Sequence, residues 1–301
     1  MGSFKQPKKA VILAAGSGTR FLPQTKAMAK EMLPVLDKPV IQWIVEDLVS
    51  AGVKDIICVI TPEKQYIEQH FTRDKKWEDK LAKKADKKQF AEAIKAAGSL
   101  ANFTFIMQGG EPLGNARPVL DARDYLTLGE PFFVFSADDI FRCPPRKSRA
   151  KQLLDAYNLT GKTTISLQEV DRKMADKYGM VKAGSQVGEG VVRVEKVVEK
   201  PGEKNAPSNL ATLMGYILTP EILPIIAEEK VDKAGEITTA DSINELIVRG
   251  DEVYGVVIDG VYHDMGNPTK YLMGVIDFAL HDDRFREDIR AYIEKSLQQR
   301  K

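Results

Sequence analysis

Ala10-Val-Ile-Leu-Ala-Ala15, running straight into Gly16-Ser-Gly-Thr-Arg20, is the stretch on which the reading of this chain turns. A run of apolar residues with no polar alternation suits a strand buried on both faces, as the strands of a parallel sheet are. Glycines directly after such a strand let backbone N–H groups approach an anion closely and tolerate unusual φ/ψ. Arg20 and Lys30 add fixed positive charge beside that turn. Arg suits bidentate phosphate contact, and Lys acts as a point charge. The glycine spacing is not that of a dinucleotide fingerprint, no acidic residue closes the second strand, and no Gly-Lys-Ser/Thr follows. A NAD-dependent enzyme is therefore a poor reading, and so is a P-loop.

Working outward, residues 40–51 place Ile41, Ile44, Val45, Leu48 and Val49 at helical spacing, with Gly52 where a helix C-cap is expected. Residues 55–61 (DIICVIT) read as the second buried strand, which completes a βαβ unit. Further strands are expected at 103–108, 131–136, 163–170, 211–218 and 253–258. Residues 261–264 are expected to finish the sheet, and 191–199 to run antiparallel. Helices are expected at 117–128, 221–229, 239–249 and through the charged tail 268–301. Residues 72–98 read as one or two exposed helices, with Trp77, Leu81, Phe90 and Ile94 at roughly helical intervals. Their lysine run, Lys83, Lys84, Lys87 and Lys88, reads as a solvated face. The expectation is an α/β protein with a Rossmann-like, mostly parallel open sheet, helices on both faces, a small antiparallel region and a helical C-terminal tail. Ligands of such sheets bind beyond the C-terminal strand ends, so the residues that follow each strand matter most.

The chain has 301 residues, 43% apolar and 29% charged, with 44 Lys+Arg against 43 Asp+Glu. A net charge of +1 gives no bulk attraction to nucleic acid or to an anionic membrane, so an anionic ligand needs a local site. Cys58 and Cys143 stand far apart, which indicates neither a disulfide framework nor a structural zinc. No apolar run approaches a membrane span, and the apolar stretch near the N-terminus is too short for a signal peptide, so a cytoplasmic location is expected.

The segment from Ala14 to Pro34, AAGSGTR-x-x-P-x-TK-x-x-x-KEMLP, resembles the signature of the sugar-1-phosphate nucleotidylyltransferases. Its Lys-Glu-Met-Leu-Pro form, followed by Asp37-Lys-Pro39, is similar to the bacterial UTP–glucose-1-phosphate uridylyltransferase branch. Glu199-Lys-Pro201 with Ala206-Pro-Ser-Asn209, and His263-Asp-Met-Gly-Asn267, resemble later segments of that branch in the same order. The resemblance implies a single nucleotidyltransferase domain over 1–301. Residues 8–140 would be its nucleotide-binding half, 141–267 its sugar-phosphate half and 268–301 helices suited to assembly. It implies that Ala14, Ala15, Gly16, Gly18 and Thr19 wrap the nucleotide, that Arg20 and Lys30 contact its phosphates, and that Gln108, Gly114 and Asn115 lie at the base. Tyr178, Gly179, Glu199 and Gly215 would lie against the sugar, and Lys200 would hold its phosphate.

Asp138 ends the fourth strand where the family has its metal-binding aspartate, and Asp139 beside it is the alternative. Asp138 and Asp264 would hold Mg2+ from opposite sides of the cleft, since magnesium needs only one or two carboxylates besides phosphate oxygens. Glu199 and Lys200, as neighbours on an extended chain, would point opposite ways and reach different parts of one ligand. His263 reads as structural. The implied reaction is attack of the phosphate of glucose 1-phosphate on the α-phosphorus of UTP, giving UDP-glucose and pyrophosphate with no general base. The implied assembly is a homodimer or homotetramer. Asn115 stands where the branch has His, Pro112 stiffens the approach, and Thr238 stands where it has Gln. Two alternatives stay open: a transferase of the same fold for dTTP, CTP or another sugar phosphate, and a weakly active, regulatory sugar-nucleotide-binding paralogue.

Overall fold

A computed structural model describes residues 4–111, 113–232 and 235–299. In chain order the elements are β1 (Lys9–Leu13), β2 (Pro34–Val35), β3 (Lys38–Pro39), α1 (Val40–Ser50), β4 (Asp55–Ile60), α2 (Tyr66–Phe71), α3 (Lys75–Ala82), α4 (Lys88–Ala97), β5 (Asn102–Met107) and α5 (Arg117–Ala122). Then follow β6 (Phe132–Ser136), β7 (Asp139–Arg142), α6 (Arg149–Thr160), β8 (Thr163–Glu169), β9 (Gly179–Gly188), β10 (Val191–Glu199) and β11 (Leu210–Leu218). The chain finishes with α7 (Ile222–Glu228), α8 (Thr239–Val248), β12 (Val253–Val257), β13 (Val261–Asp264), α9 (Pro268–His281) and α10 (Arg286–Gln298).

One sheet runs in the order β5-β4-β1-β6-β11-β8-β12-β10-β9. The first four strands are all parallel, as the uninterrupted apolar runs of β1, β4 and β6 predict. β11 enters antiparallel between β6 and β8, and β12 lies parallel to β8. β9 and β10 form an antiparallel pair at the far edge. The start of β9 also pairs with Ala211 and Thr212 of β11, so the sheet folds back on itself there.

Alternation along β1 sets the layers. Ala10 and Ile12 point into a core shared with α1 and α6, while Val11 points into one shared with α5, α7 and α8. Both faces are therefore covered. A small cluster of Met180, Ala211, Ala175 and Ala206 packs beneath Tyr178.

Several elements depart from the sequence expectation. α6 is an unforeseen helix whose buried face starts with Arg149, a residue type that reads as solvent-facing, and continues with Leu153 and Tyr157. β9 was unforeseen too: GMVKAGSQVG carries three glycines, and the strand exists because β10 and β11 pair with it. The helix expected over 117–128 stops at Ala122 and gives way to a 3-10 turn over Arg123–Tyr125. β13 does not join the large sheet; it pairs with β7 in a separate antiparallel ribbon. Among the described residues no helix is long and apolar enough to cross a membrane.

Candidate active site

The glycine turn after β1 is shaped from below by two buried charges. Lys64, in the turn after β4, donates to the carbonyls of Ala14 (2.7 Å) and Gly16 (2.5 Å) and to both carboxylate oxygens of Glu31 (2.9 and 3.0 Å). Both side chains are almost wholly buried, Glu31 at 1% and Lys64 at 6% exposure. Burial raises the Glu31 carboxyl above its ordinary value, although Lys64 and Lys30 pull the other way. With its carbonyls held inward, the loop is free to turn N–H groups outward. Gly18 sits in the left-handed region at φ 65°, and the Thr25 hydroxyl donates to its carbonyl (2.9 Å).

Above the loop, the Lys30 ammonium lies where a side chain on Gly16 would meet it, and reaches Asp138 Oδ2 at 2.5 Å. Burial opposes the charge of Lys30, but Asp138 and Glu31 raise its pKa above the usual lysine value. Burial alone would raise Asp138; Lys30, by charge and hydrogen bond, reverses that and holds the carboxyl below its usual range.

Asp264 joins Asp138 at Gly266. A Cβ on Gly266 would meet Asp138 Oδ2 at 2.5 Å and Asp264 Oδ1 at 3.2 Å, so the bare glycine leaves room for two carboxylates to converge. They do not come from opposite walls, as the sequence reading expected. The β7–β13 ribbon pairs Asp264 with Asp139, and Met265 N donates to the Asp138 carbonyl (2.9 Å). Asp264 has Arg20 and Lys270 each 4.0 Å away. Asp139, the alternative, faces elsewhere: the Tyr262 hydroxyl donates to it (2.7 Å), and Arg149 donates to its carbonyl (3.1 Å). Burial, and then the neighbouring Asp138 charge, push its carboxyl up to about 7.

Across the ribbon lie the residues expected at the sugar. Glu199 pairs with Gly179 in the β10–β9 register, and Lys200 N donates to the Tyr178 carbonyl (3.2 Å). Glu199 and Lys200 do not point apart: Lys200 has φ 41°, and its ammonium meets Glu199 at 3.1 Å. Strand alternation does not hold at Lys200, because its backbone is left-handed, not extended. The Tyr178 hydroxyl accepts from Lys270 (2.8 Å), tying this group to Asp264. Gly215 pairs with Phe135 of β6, and the space a Cβ would take there is filled by Ser166 and Arg149.

The residues expected at the base have structural partners. Asn115 Oδ1 accepts from Thr239 N (2.7 Å) at the start of α8. Gly114, at φ 116°, is bare because a side chain would collide with the backbone of Ile237. Gln108 extends β5 by donating its N–H to Ile60 O (2.9 Å). Pro112 lies outside the described residues. Thr238, the other departure, caps α8: its hydroxyl accepts from Asp241 N (3.1 Å). His263 is buried against Asp277 (2.8 Å), and burial lowers its pKa.

The sequence reading thus supplied Arg20, Lys30, Asp138 and Asp264, which the fold gathers around one point, and Tyr178, Gly179, Glu199 and Lys200, which it gathers beside them. It missed Lys64 and Lys270, and it quoted Glu31 only as part of a motif. Lys64 follows the C-terminal end of β4, so the strand-end rule that found the others pointed there too.

A glycine turn on a parallel strand thus has cations over it and two carboxylates beside it, Asp138 after β6 and Asp264 at the end of β13. The chain belongs to the nucleotidyl transferase family, whose pattern it matches over residues 9–279. Uridylyltransferases are among the relatives it resembles. It is 40% identical over 288 residues to UTP–glucose-1-phosphate uridylyltransferase 2 of Staphylococcus saprophyticus, covering 96% of this chain and 97% of that one. It is 38% identical over 291 residues to UTP–glucose-1-phosphate uridylyltransferase of Staphylococcus epidermidis, covering 97% and 99%. Among solved structures, a UDP-glucose pyrophosphorylase complexed with UDP-glucose superposes with a TM-score of 0.82 at 30% identity, over 92% of this chain and all of that one. A UTP-bound enzyme from Acinetobacter baumannii superposes at 0.84 with 28% identity, over 96% and 99%. The family expected from the Ala14–Pro34 segment is the family found.

Proposed function

We propose that this protein joins UTP and glucose 1-phosphate to give UDP-glucose and pyrophosphate. The observation that carries the reading is the convergence of Asp138 and Asp264 on bare Gly266, with Lys30 and Arg20 beside them, directly over the glycine turn. Relatives that share the family and nearly the full length carry the uridylyltransferase name.

The nucleophile is a phosphate oxygen, already anionic at neutral pH, so the protein's task is to hold two anions in line and neutralise charge. Backbone N–H groups of Gly16, Ser17 and Gly18, with Arg20 and Lys30, take the triphosphate. Lys200 and the Glu199 carboxylate take the phosphate and hydroxyls of the sugar, with Tyr178 and Gly179 forming its bed.

Asp138 and Asp264 suit a hard divalent cation: both are oxygen donors, and among the described residues no larger cage of His, Cys, Asp and Glu forms, as suits an ion that takes its other ligands from phosphate. They would hold magnesium, whose chemistry there is neutralisation of α-phosphate charge. Lys30, which pairs with Asp138, would with the cation in place be free to face the leaving pyrophosphate.

Pyrophosphate release by the purified protein tests the reading, with UTP, dTTP, CTP and ATP each paired with several sugar 1-phosphates. UTP with glucose 1-phosphate should give the highest kcat/KM. A higher value for another pair would replace the substrate assignment, and no release from any pair would remove the enzymatic one.

A further inference from the structure

We propose that Lys270 is a second cation for the phosphate of the incoming sugar 1-phosphate, an inference that rests on the uridylyltransferase reading and adds a residue to it. Lys270 stands in the first turn of α9, after the Asn267 cap. A cation there sits against the positive end of a helix dipole, and that turn holds no acidic residue to offset it. Its ammonium donates to the Tyr178 hydroxyl at 2.8 Å and lies near the faces of Tyr178 and Tyr262 (5.5 and 5.9 Å to the ring centroids). Its nearest acid is Asp264, at 4.0 Å, beyond hydrogen-bond reach.

The other cations of the cleft have counter-ions or stand on the triphosphate side. Lys30 is closed onto Asp138, and Lys200 onto Glu199. Arg20, on the glycine turn, approaches the same Asp264 from the nucleotide side. That leaves Lys270 under-compensated, between the carboxylates and the Tyr178 edge. The dipole of α9 and the ammonium both favour an anion at that place. The anion expected between sugar and carboxylates is the nucleophilic phosphate. The side chain is about one-third exposed, so the proton donors it keeps are open to a ligand.

Steady-state kinetics of Lys270→Met, with glucose 1-phosphate and UTP varied in turn, test this. The expected result is a rise of about tenfold in KM for glucose 1-phosphate, from loss of a charge-assisted contact. KM for UTP should stay within about twofold. Lys270→Arg should recover most of the loss, because it restores charge but not shape. Calorimetric titration of glucose 1-phosphate without divalent cation should show the same weakening, independently of turnover. A KM for glucose 1-phosphate within twofold of the parent, or an equal loss for UTP, overturns the assignment. If Lys270→Met fails to fold, Lys270→Gln replaces it and is read the same way. A parent protein that turns over no sugar 1-phosphate overturns the functional reading and this inference together; an active parent with an unaffected variant overturns this inference alone.

Discussion

Lys64→Met removes one ammonium and leaves four acceptors without it: two loop carbonyls and both oxygens of Glu31. Methionine fills similar volume, so the change tests charge more than packing. Removing one partner of a buried ion pair costs about 3–5 kcal/mol, because the other charge stays buried without compensation. Glu31 can escape that cost only by taking up a proton. Its carboxyl is already raised above its ordinary 4.5 by burial, with Lys64 and Lys30 opposing and the thiol of Cys58 close by. Without Lys64 it rises further.

A carboxyl whose folded-state pKa is raised binds its proton more tightly in the native state. Stability is then greatest below the unfolded value and is lost as pH climbs through the folded one, at ~1.4 kcal/mol per pH unit between them. The variant's deficit should therefore be small near pH 5 and large near pH 8. At roughly 2 °C per kcal/mol, the melting midpoint at pH 8 should fall by ~6–10 °C. Thermal unfolding followed by circular dichroism at both pH values measures it. Glu31→Gln in the Lys64→Met background should abolish the extra pH dependence. A midpoint within 2 °C of the parent at pH 8, or a gap that does not widen with pH, would refute the claim that this pair braces the loop.

Asp138→Asn should reduce magnesium-dependent pyrophosphate release by at least about a hundredfold, as expected when a group that organises transition-state charge is lost; near-parental turnover would remove Asp138 from the metal assignment. Lys200→Ala should raise KM for glucose 1-phosphate or lower kcat much more than it weakens UTP binding, measured by titration of UTP alone; equal losses would sink its role. Asn115→Ala should cost about 1 kcal/mol through loss of its bond to the first turn of α8, seen as a melting midpoint ~2 °C lower; an unchanged midpoint would show that the cap carries no stability.

How much of this was legible without coordinates depended on whether the signal was contiguous. β1, its glycine turn and Lys30 lie within one short segment, and the uninterrupted apolar runs of β4 and β6 announced the parallel half directly. α6 was not legible because its buried face opens on Arg149, a residue type that reads as solvent-facing, whose guanidinium instead stacks on Phe135 (4.0 Å) and Phe141 (5.1 Å). β9 was not legible because tertiary pairing, and not its own residues, makes it a strand. In the site, Asp138 was singled out by its place at a strand end and Asp264 by the resemblance of the His263–Asn267 segment, but their adjacency depends on the β7–β13 ribbon, which local sequence does not encode. Lys64 and Lys270 were lost among the many lysines, since what separates them from solvated neighbours is burial and partners supplied by distant segments.

The forked pairing of β11 bears on how the enzyme can move. Its C-terminal half, Gly215–Leu218, is hydrogen-bonded to β6, and its N-terminal residues Ala211 and Thr212 to β9. A single strand therefore belongs to the walls of both proposed substrate beds. Swinging one bed away from the other would strip the ladder that joins β11 to β6. The two proposed beds thus share one continuous β-ladder, and their spacing is that of a sheet.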